Sequence, residues 1–251
     1  MARVFVSESD VSGTRVTVTG DDAHHLATVL RLRPGDRFQA IAPGGVEHEV
    51  AIIAASRREI VGEITASRTI EPEARLRLTL YQAIPRGKRF PFILQKCTEL
   101  GVARFVPVIA ARTVVDVEDG RVEQRLERWN KIVREACRQC ECALMPEVSP
   151  PLVWNDALAD WVRSATPGML FHERLARDAQ GVAPLRNVLS RFRAAPALGL
   201  FVGPEGGFTP EEAQAGIAAG LVEAPLGARI LRAETAAIVA VAVCLYESGD
   251  L

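Results

Sequence analysis

Apolar and polar residues alternate in short runs through the first seventy positions, and turn-forming residues break the runs. Val16 and Val18 alternate with polar neighbours up to Thr19; Gly20-Asp21-Asp22 reads as a turn, and Arg33-Pro34-Gly35-Asp36 as another. Strands are predicted over 37–41, 47–54 and 60–65, with Pro43-Gly44-Gly45 as a hairpin connection. Short strands so closely spaced predict a small β-barrel. The polar, Pro-punctuated Glu71-Pro72-Glu73 reads as a linker, which divides the chain into a first domain over 1–72 and a second over 73–251.

After the linker the period changes. Leu76, Leu78 and Leu80 alternate as a strand that Pro85-Arg86-Gly87 ends. A helix follows, with Ile93, Cys97 and Leu100 on one face and Gly101 as its stop. The next strand covers 105–109. Over 121–142 the spacing is helical, with Leu126, Trp129, Val133, Ala136 and Cys140 on the buried face. Arg128, Lys131, Arg134 and Arg138 form a second, basic stripe. Further strands are predicted near 169–172, 198–202 and 221–226. Strands alternating with helices predict an α/β domain whose mostly parallel sheet is covered on both faces.

Composition narrows the class. Apolar residues make up 48% of the 251 positions and charged residues 24%, which is ordinary for a globular chain and unlike a disordered one. The N-terminus has no apolar signal segment, and the most apolar stretch, 236–245, is too short to span a bilayer. Five cysteines, an odd number without an export signal, suit reduced thiols in the cytoplasm. Cys137, Cys140 and Cys142 crowd together, but no fourth ligand follows at zinc spacing and no iron–sulfur pattern fits, so no metal is expected. The net charge of −1 conceals a local bias: between Ile84 and Cys140 there are twelve Arg or Lys against seven Asp or Glu. Such a basic stretch fits phosphate binding, and it equally fits a solvated helix face.

Two segments carry the candidate chemistry. In Leu200-Phe201-Val202-Gly203-Pro204-Glu205-Gly206-Gly207-Phe208-Thr209-Pro210-Glu211-Glu212 an apolar strand enters a Gly-rich loop, and a helix begins directly afterwards. Thr209 suits the N-cap, Pro210 the first helical position, and Glu212 completes a capping box. Glycines let backbone groups approach a ligand closely, and the carboxyl end of a parallel strand is where open α/β sheets bind ligands; a tight turn is the plainer alternative. The loop is neither a dinucleotide fingerprint nor a P-loop, since both the spacing and the lysine are missing. The second segment, Leu226-Gly227-Ala228-Arg229-Ile230-Leu231-Arg232-Ala233-Glu234-Thr235, leads into a helix apolar on nearly every side and therefore expected to be buried. Arg232 and Glu234 stand at its mouth, where a charge needs a partner or a ligand.

These two segments, with Gln95-Lys96-Cys97-Thr98-Glu99-Leu100-Gly101, Ala136-Cys137-Arg138-Gln139-Cys140 and the N-terminal His25-Leu26-Ala27-Thr28-Val29-Leu30-Arg31-Leu32-Arg33-Pro34-Gly35, resemble the RsmE family. That family comprises small-subunit ribosomal RNA methyltransferases of the SPOUT superfamily, and the resemblance spans nearly the whole chain. It implies an α/β fold class with an N-terminal PUA-like or OB-like small β-barrel for RNA. It also implies a C-terminal SPOUT domain with a deep trefoil knot, S-adenosylmethionine as methyl donor, and a cytoplasmic homodimer. The reaction implied is methylation of N3 on one uridine of 16S ribosomal RNA, as naked RNA or in the assembled small subunit. Where the family commonly carries Gly-Arg after Gln139-Cys140, this chain has Glu141-Cys142, which bears on an RNA contact and not on the cofactor loops.

On this resemblance His172, Leu200, Gly203, Pro204, Glu205, Gly206, Leu226, Gly227, Ile230, Leu231 and Thr235 are expected to hold the donor, largely through backbone atoms. Arg232 is the candidate for stabilising the developing uracil anion, because a guanidinium is always charged. Glu205 or Glu234 is the candidate proton acceptor, or else a structural anchor. Arg31, Arg33, Arg86, Lys88, Lys96, Arg128, Lys131 and Arg134 are the basic positions expected to meet RNA. Two other readings stand beside this one: a superfamily member acting on a ribose 2′-hydroxyl or on transfer RNA, and a non-catalytic RNA-binding assembly factor.

Overall fold

The computed structural model of the chain describes residues 1–70, 74–114, 122–172 and 184–251. The expected linker at 71–73 and the expected helix start at Arg121 lie outside the described residues. The chain divides into two compact units: Met1–Pro72 with Glu141–Met145, and Glu73–Cys140 with Pro146–Leu251.

In the first unit the strands β1 (Arg3–Phe5), β2 (Val11–Ser12), β3 (Arg15–Thr19), β4 (Arg37–Ala42), β5 (Val46–Ala55) and β6 (Glu59–Thr69) form one sheet. Their order is β1-β4-β5-β6-β3-β2, with β1 parallel to β4 and every other pair antiparallel. Alternation places Val16, Val18, Phe38, Val50 and Ile60 on the packed face. Irregularities of register at Glu49/Val50 and Ile52/Ala54 let the long β5–β6 pair bend.

Gly20-Asp21-Asp22 is not a turn. It opens the short helix α1 (Gly20–His24), which continues in π-type winding through His25–Val29. The reason is visible in Ala23 and Leu26, both fully buried and three residues apart, a helical spacing that pulls this segment onto the core. Glu141–Met145 joins this unit although it follows a helix of the other: Arg3 Nη1 donates to the carbonyl oxygens of Glu141 at 3.1 Å and Cys142 at 3.4 Å. The departure Glu141-Cys142 thus has a structural place, with Cys142 buried and Glu141 in the left-handed region at φ 56°.

The second unit is built on a parallel sheet of β7 (Arg77–Ala83), β8 (Arg104–Ile109), β9 (Glu147–Val148), β10 (Leu152–Val153), β11 (Gly168–Phe171), β12 (Ala197–Val202) and β13 (Val222–Ala224). The order is β10-β8-β7-β12-β11-β13, with β9 also paired to β8, and all pairs are parallel. The helices are α2 (Arg89–Leu100), α3 (Val122–Cys140), α4 (Trp154–Ser164), α5 (Leu185–Ser190), α6 (Pro210–Ala218) and α7 (Ala233–Ser248). Gly101 ends α2 at φ 101°, a left-handed cap that a glycine adopts without strain.

Aromatic rings fill one face: Tyr81 stacks on Phe201 at 4.3 Å, and Trp154 meets Phe208 at 4.6 Å. The Tyr81 hydroxyl donates to Asp160 at 2.8 Å, and Arg104 Nη1 reaches the same carboxylate at 2.8 Å. Helix α7 packs on α2, β12 and β7 through Ala237, Ala240, Val241, Cys244 and Leu245. It is not buried on every side as its composition suggests: Ile238, Val239 and Val243 are half-buried and Tyr246 is 74% exposed.

All five cysteines are free, and burial pushes the Cys244 thiol up to about 12. Among the described residues no group of three His, Cys, Asp or Glu is placed to hold a metal. No described helix is long and apolar enough to cross a membrane.

Candidate active site

Parallel strands β11, β12 and β13 end side by side, and the loops that leave them enclose a cleft. The loop after β12 is shaped by its glycines and by the cap that follows. Thr209 Oγ1 accepts from the Glu212 backbone N–H at 3.2 Å, and Glu212 Oε2 accepts from Thr209 N at 2.8 Å, with Pro210 in the first turn. Glu212 Oε1 also accepts from the backbone N–H of Ala111 at 2.7 Å, so one carboxylate pins both the helix start and the neighbouring loop after β8. Gly207 stands at φ 65°, where a side chain would be strained. A Cβ on Gly203 would lie 3.1–3.3 Å from the backbone of Gly207 and Phe208, so a side chain there would press the turn open by a few tenths of an ångström.

The cleft is narrow: about 60 Å³ of it is cavity proper, and the rest of its space opens to solvent. Its walls include His172 after β11; Gly203, Pro204, Glu205 and Gly207 after β12; and Leu226, Gly227, Arg229, Ile230 and Leu231 after β13. The structure thus brings together His172, Gly203, Pro204, Glu205, Leu226, Gly227, Ile230 and Leu231 of the residues expected to hold the donor. It does not place Leu200, Gly206 or Thr235 on the wall. Leu200 is wholly buried within β12, Gly206 gives its carbonyl oxygen to Arg112 Nη1 at 2.6 Å, and Thr235 is exposed on α7. His172 Nε2 lies 3.3 Å from the Phe208 carbonyl oxygen, a contact that a protonated Nε2 donates.

Beside this cleft lies a second, more open one, lined by Arg86, Gly87, Lys88, Arg89, Phe92 and Glu234. Arg89, in the first turn of α2, joins the two. Its guanidinium pairs with Glu205 through Nη1, and its Nε lies 3.6 Å from Glu234 Oε2. Glu205 Oε1 also accepts from the Arg86 backbone N–H at 2.9 Å. Partial burial alone would raise the Glu205 carboxyl. The backbone N–H groups of Glu205 and Arg86 and the Arg89 guanidinium outweigh that, and hold it below its ordinary value. Glu234 differs: its Oε2 is buried and accepts no hydrogen bond among the described residues. Arg232 is the exposed N-cap residue of α7 and lines neither cleft.

The other basic positions are dispersed. Arg31 and Arg33 are exposed in the first unit, next to exposed Val29 and Leu30, and Arg31 sits at φ 55°. Lys96 pairs with Glu99 at 2.8 Å on α2. On α3, Arg128 and Lys131 are exposed and Arg134 is half-buried.

Three contributors escaped sequence reasoning. Arg89 is one. Gln82, wholly buried at the end of β7, donates from Nε2 to the carbonyl oxygens of Val202 and Gly203, both at 3.3 Å. Arg112, on the loop after β8, holds Gly206. A polar amide at the end of an apolar parallel strand was the one available signal, and it does not name its partners.

Comparison with known proteins agrees with this architecture. The chain matches the model of an RNA methyltransferase domain over residues 72–245 and that of an RNA methyltransferase PUA domain over residues 18–65. It is 34% identical to ribosomal RNA small subunit methyltransferase E of Synechocystis, covering 96% of this chain and 76% of that one. It is 32% identical to the protein of the same name from Mycobacterium bovis, covering 94% and 88%. The solved structure of ribosomal RNA small subunit methyltransferase E from Neisseria gonorrhoeae, bound to S-adenosylmethionine, is 32% identical with a TM-score of 0.79, covering 98% and 97%. With a PUA-type unit, a parallel sheet and a loop-walled cleft at its strand ends, this chain belongs to the RNA methyltransferase family that includes those proteins.

Proposed function

We propose that this chain methylates N3 of one uridine in the decoding region of 16S ribosomal RNA, with S-adenosylmethionine as donor. The observation that carries the reading is the cleft itself. Two loops at the carboxyl ends of parallel strands wall a narrow cleft with apolar Leu226, Ile230 and Leu231 on one loop and Gly203, Pro204 and Gly207 on the other. That combination suits an adenosine and an amino-acid tail, and a relative at 32% identity has S-adenosylmethionine bound.

In this reading the residues on the cleft wall hold the donor, with Gly203 and Gly227 allowing close backbone approach. Leu200 and Gly206 act from behind the wall, and Thr235 from the first turn of α7. The bound donor supplies an electrophilic methyl on its sulfonium. The chain's own task is to place N3 in line with that methyl, to accept its proton and to stabilise the anion that develops. Arg232 serves the last role, moving in from its exposed position at the start of α7, and Glu205 or Glu234 accepts the proton.

The reading also includes a PUA-like barrel, a trefoil knot and a cytoplasmic homodimer. For the knot, the support is that the chain leaves β13 at the sheet edge, passes through 225–232 along the same cleft as the 203–208 loop, and ends in α7 against central β7 and β12. For the dimer, the support is the apolar outer side of α7, where Ile238, Val239, Val243 and Tyr246 lack full cover within one chain. The RNA backbone is met by Arg31, Arg33, Arg86, Lys88, Lys96, Arg128, Lys131 and Arg134.

The test is to incubate purified protein with labelled donor and either naked 16S RNA or small subunits, then map the product by mass spectrometry. N3-methyluridine at a single site is expected. A 2′-O-methyl product, or none with either substrate, would sink the reading.

A further inference from the structure

The basic cleft beside the donor cleft has features that a mere gap between loops would not share. It is lined by three cationic residues close in sequence, Arg86, Lys88 and Arg89, around Gly87. It exposes an aromatic ring, Phe92 at 44%, one helical turn beyond Lys88 on α2. Glu234 lines it too, and its Oε2, shielded from solvent behind that lining, accepts no hydrogen bond among the described residues and lies 3.6 Å from Arg89 Nε. A buried carboxylate oxygen left unbonded carries a desolvation cost, which a donor entering the cleft would relieve.

Resting on the reading above, we propose that this cleft receives the target nucleotide. Its base stacks on Phe92, its phosphates meet Arg86 and Lys88, and Glu234 Oε2, not Glu205, takes the N3 proton. Cations and an exposed ring side by side are the pairing that single-stranded nucleic acid selects, since phosphates carry the charge and every base has a stacking face. An extruded nucleotide would lie next to the donor cleft, because Arg89 touches Glu205 on the wall of one cleft and Glu234 on the wall of the other.

Arg89 is the positioning residue of this arrangement. One planar guanidinium shared by two carboxylates fixes the donor loop relative to the start of α7, and a lysine could not hold both in the same geometry. It also divides the labour between the two acids. Glu205 is held below its ordinary value by Arg89 and backbone N–H donors, two of the contacts falling on Oε1, and is correspondingly a weak base. Glu234 Oε2 has the 3.6 Å contact with Arg89 and accepts no hydrogen bond among the described residues. In the step itself the N3–H proton passes to Glu234 Oε2, the N3 electron pair forms the new bond to the methyl carbon, and the sulfur keeps the pair of the bond that breaks.

The experiment uses the full-length protein and a 16S RNA fragment carrying the target uridine. Fragment affinity is measured in the presence of S-adenosylhomocysteine, alongside single-turnover methylation. Phe92→Ala is expected to weaken the fragment by roughly five- to a hundred-fold, with Phe92→Trp close to wild type and donor affinity unchanged. Glu234→Gln is expected to lower the methylation rate by roughly 10²- to 10⁴-fold while fragment and donor affinities stay within about two-fold. Arg89→Lys is expected to lower the rate at least roughly ten-fold without a matching rise in KM for RNA.

Normal fragment affinity in Phe92→Ala would overturn the cleft assignment, as would a change in sedimentation with no change in RNA binding, which would make Phe92 a subunit contact. Near-normal turnover in Glu234→Gln would return the proton to another acceptor. If wild type binds the fragment through Phe92 yet yields no N3-methyluridine, the functional reading fails and the cleft assignment survives.

Discussion

Arg112 Nη1 donates to the carbonyl oxygen of Gly206 at 2.6 Å, tying the loop after β8 to the Gly-rich loop after β12. Gly203 and Gly206 of that loop are therefore not equivalent. The atoms nearest a Cβ on Gly206 belong to the Arg112 side chain, at 3.2–3.8 Å, whereas a Cβ on Gly203 would press on the backbone of Gly207 and Phe208. Gly203→Val is expected to abolish donor binding in a folded protein. Gly206→Ala should retain donor affinity within a few-fold. Calorimetric titration with the donor decides it, and normal binding by Gly203→Val would remove that turn from the cleft.

A second pair of glycines has no part in binding. Gly168 and Gly199 lie beneath the Trp161 indole, where a Cβ would fall 2.6 Å and 2.8 Å from ring atoms. Gly168 also faces Leu221 at 2.5 Å. Alanine at either position forces the tryptophan from its place in the core, at a cost of roughly 1–3 kcal/mol. Denaturant unfolding of Gly168→Ala should show a lower midpoint with an unchanged slope.

Much of this could be read from the order of residues. The capping box at Thr209–Glu212 and the strand preceding it are local patterns, so the Gly-rich loop was legible together with its helix. Alternation likewise located β4, β5 and β6, since one face of each is packed. What escaped was carried by contacts remote in sequence: Arg89 reaches Glu205 and Glu234, and Gln82 reaches Gly203, because parallel strands distant in the chain are neighbours in the sheet. No periodicity within one segment reports which other segment lies beside it. The α1 segment was missed for a different reason. Its helical signal is only Ala23 and Leu26, too short to outweigh a Gly-Asp-Asp sequence that ordinarily means a turn.

Asp160 gives a pH-dependent prediction. Burial alone would raise its carboxyl, but hydrogen bonds from Arg104 and Tyr81 outweigh burial and hold it below its ordinary value. A carboxylate whose folded-state pKa is depressed stabilises the fold above its unfolded pKa, and that contribution is lost as pH falls through the folded value. Asp160→Asn should therefore lower stability at neutral pH, by roughly 1–2 kcal/mol, since Arg104 and Tyr81 lose their charged acceptor while Arg104 keeps Glu147 Oε1 at 3.4 Å. The difference from wild type should shrink as the medium is acidified below about pH 4. Urea unfolding at several pH values measures it, and a gap that stays constant down to about pH 3 would contradict the assignment.

Cys137, Cys140 and Cys142 offer a simpler check. Cys137 and Cys142 are buried in different units, and no described group of three ligands surrounds them. Cys137→Ser with Cys140→Ser should leave methyl transfer unchanged. Stoichiometric zinc or iron in purified wild type, by elemental analysis, would show that these thiols are ligands.

The basic residues should separate by what they do to binding and what they do to rate. Arg31 and Arg33 are exposed in the first unit, and Arg128, Lys131 and Arg134 lie along α3 in the second. If they neutralise RNA phosphates, Ala variants should weaken RNA binding and flatten its salt dependence, by roughly 0.7 to 0.9 of a log–log unit for each phosphate no longer neutralised. Donor affinity should not move, since none of the five lines the donor cleft. Arg232→Ala should show the reverse bias. Arg232 caps α7 at the surface, between Leu231 and Ala233 on the wall of the donor cleft and two residues before Glu234 on the wall of the other. If its guanidinium stabilises negative charge only as methyl transfer proceeds, its loss should lower kcat by roughly two to three orders of magnitude and leave RNA affinity nearly intact. Should the α3 variants keep the wild-type salt slope and instead change the sedimentation of the protein, their helix is a subunit contact and not an RNA surface. Should Arg232→Ala turn over at a near-normal rate, the anion must be stabilised elsewhere, and Arg89, already placed between the two carboxylates, becomes the residue to test next.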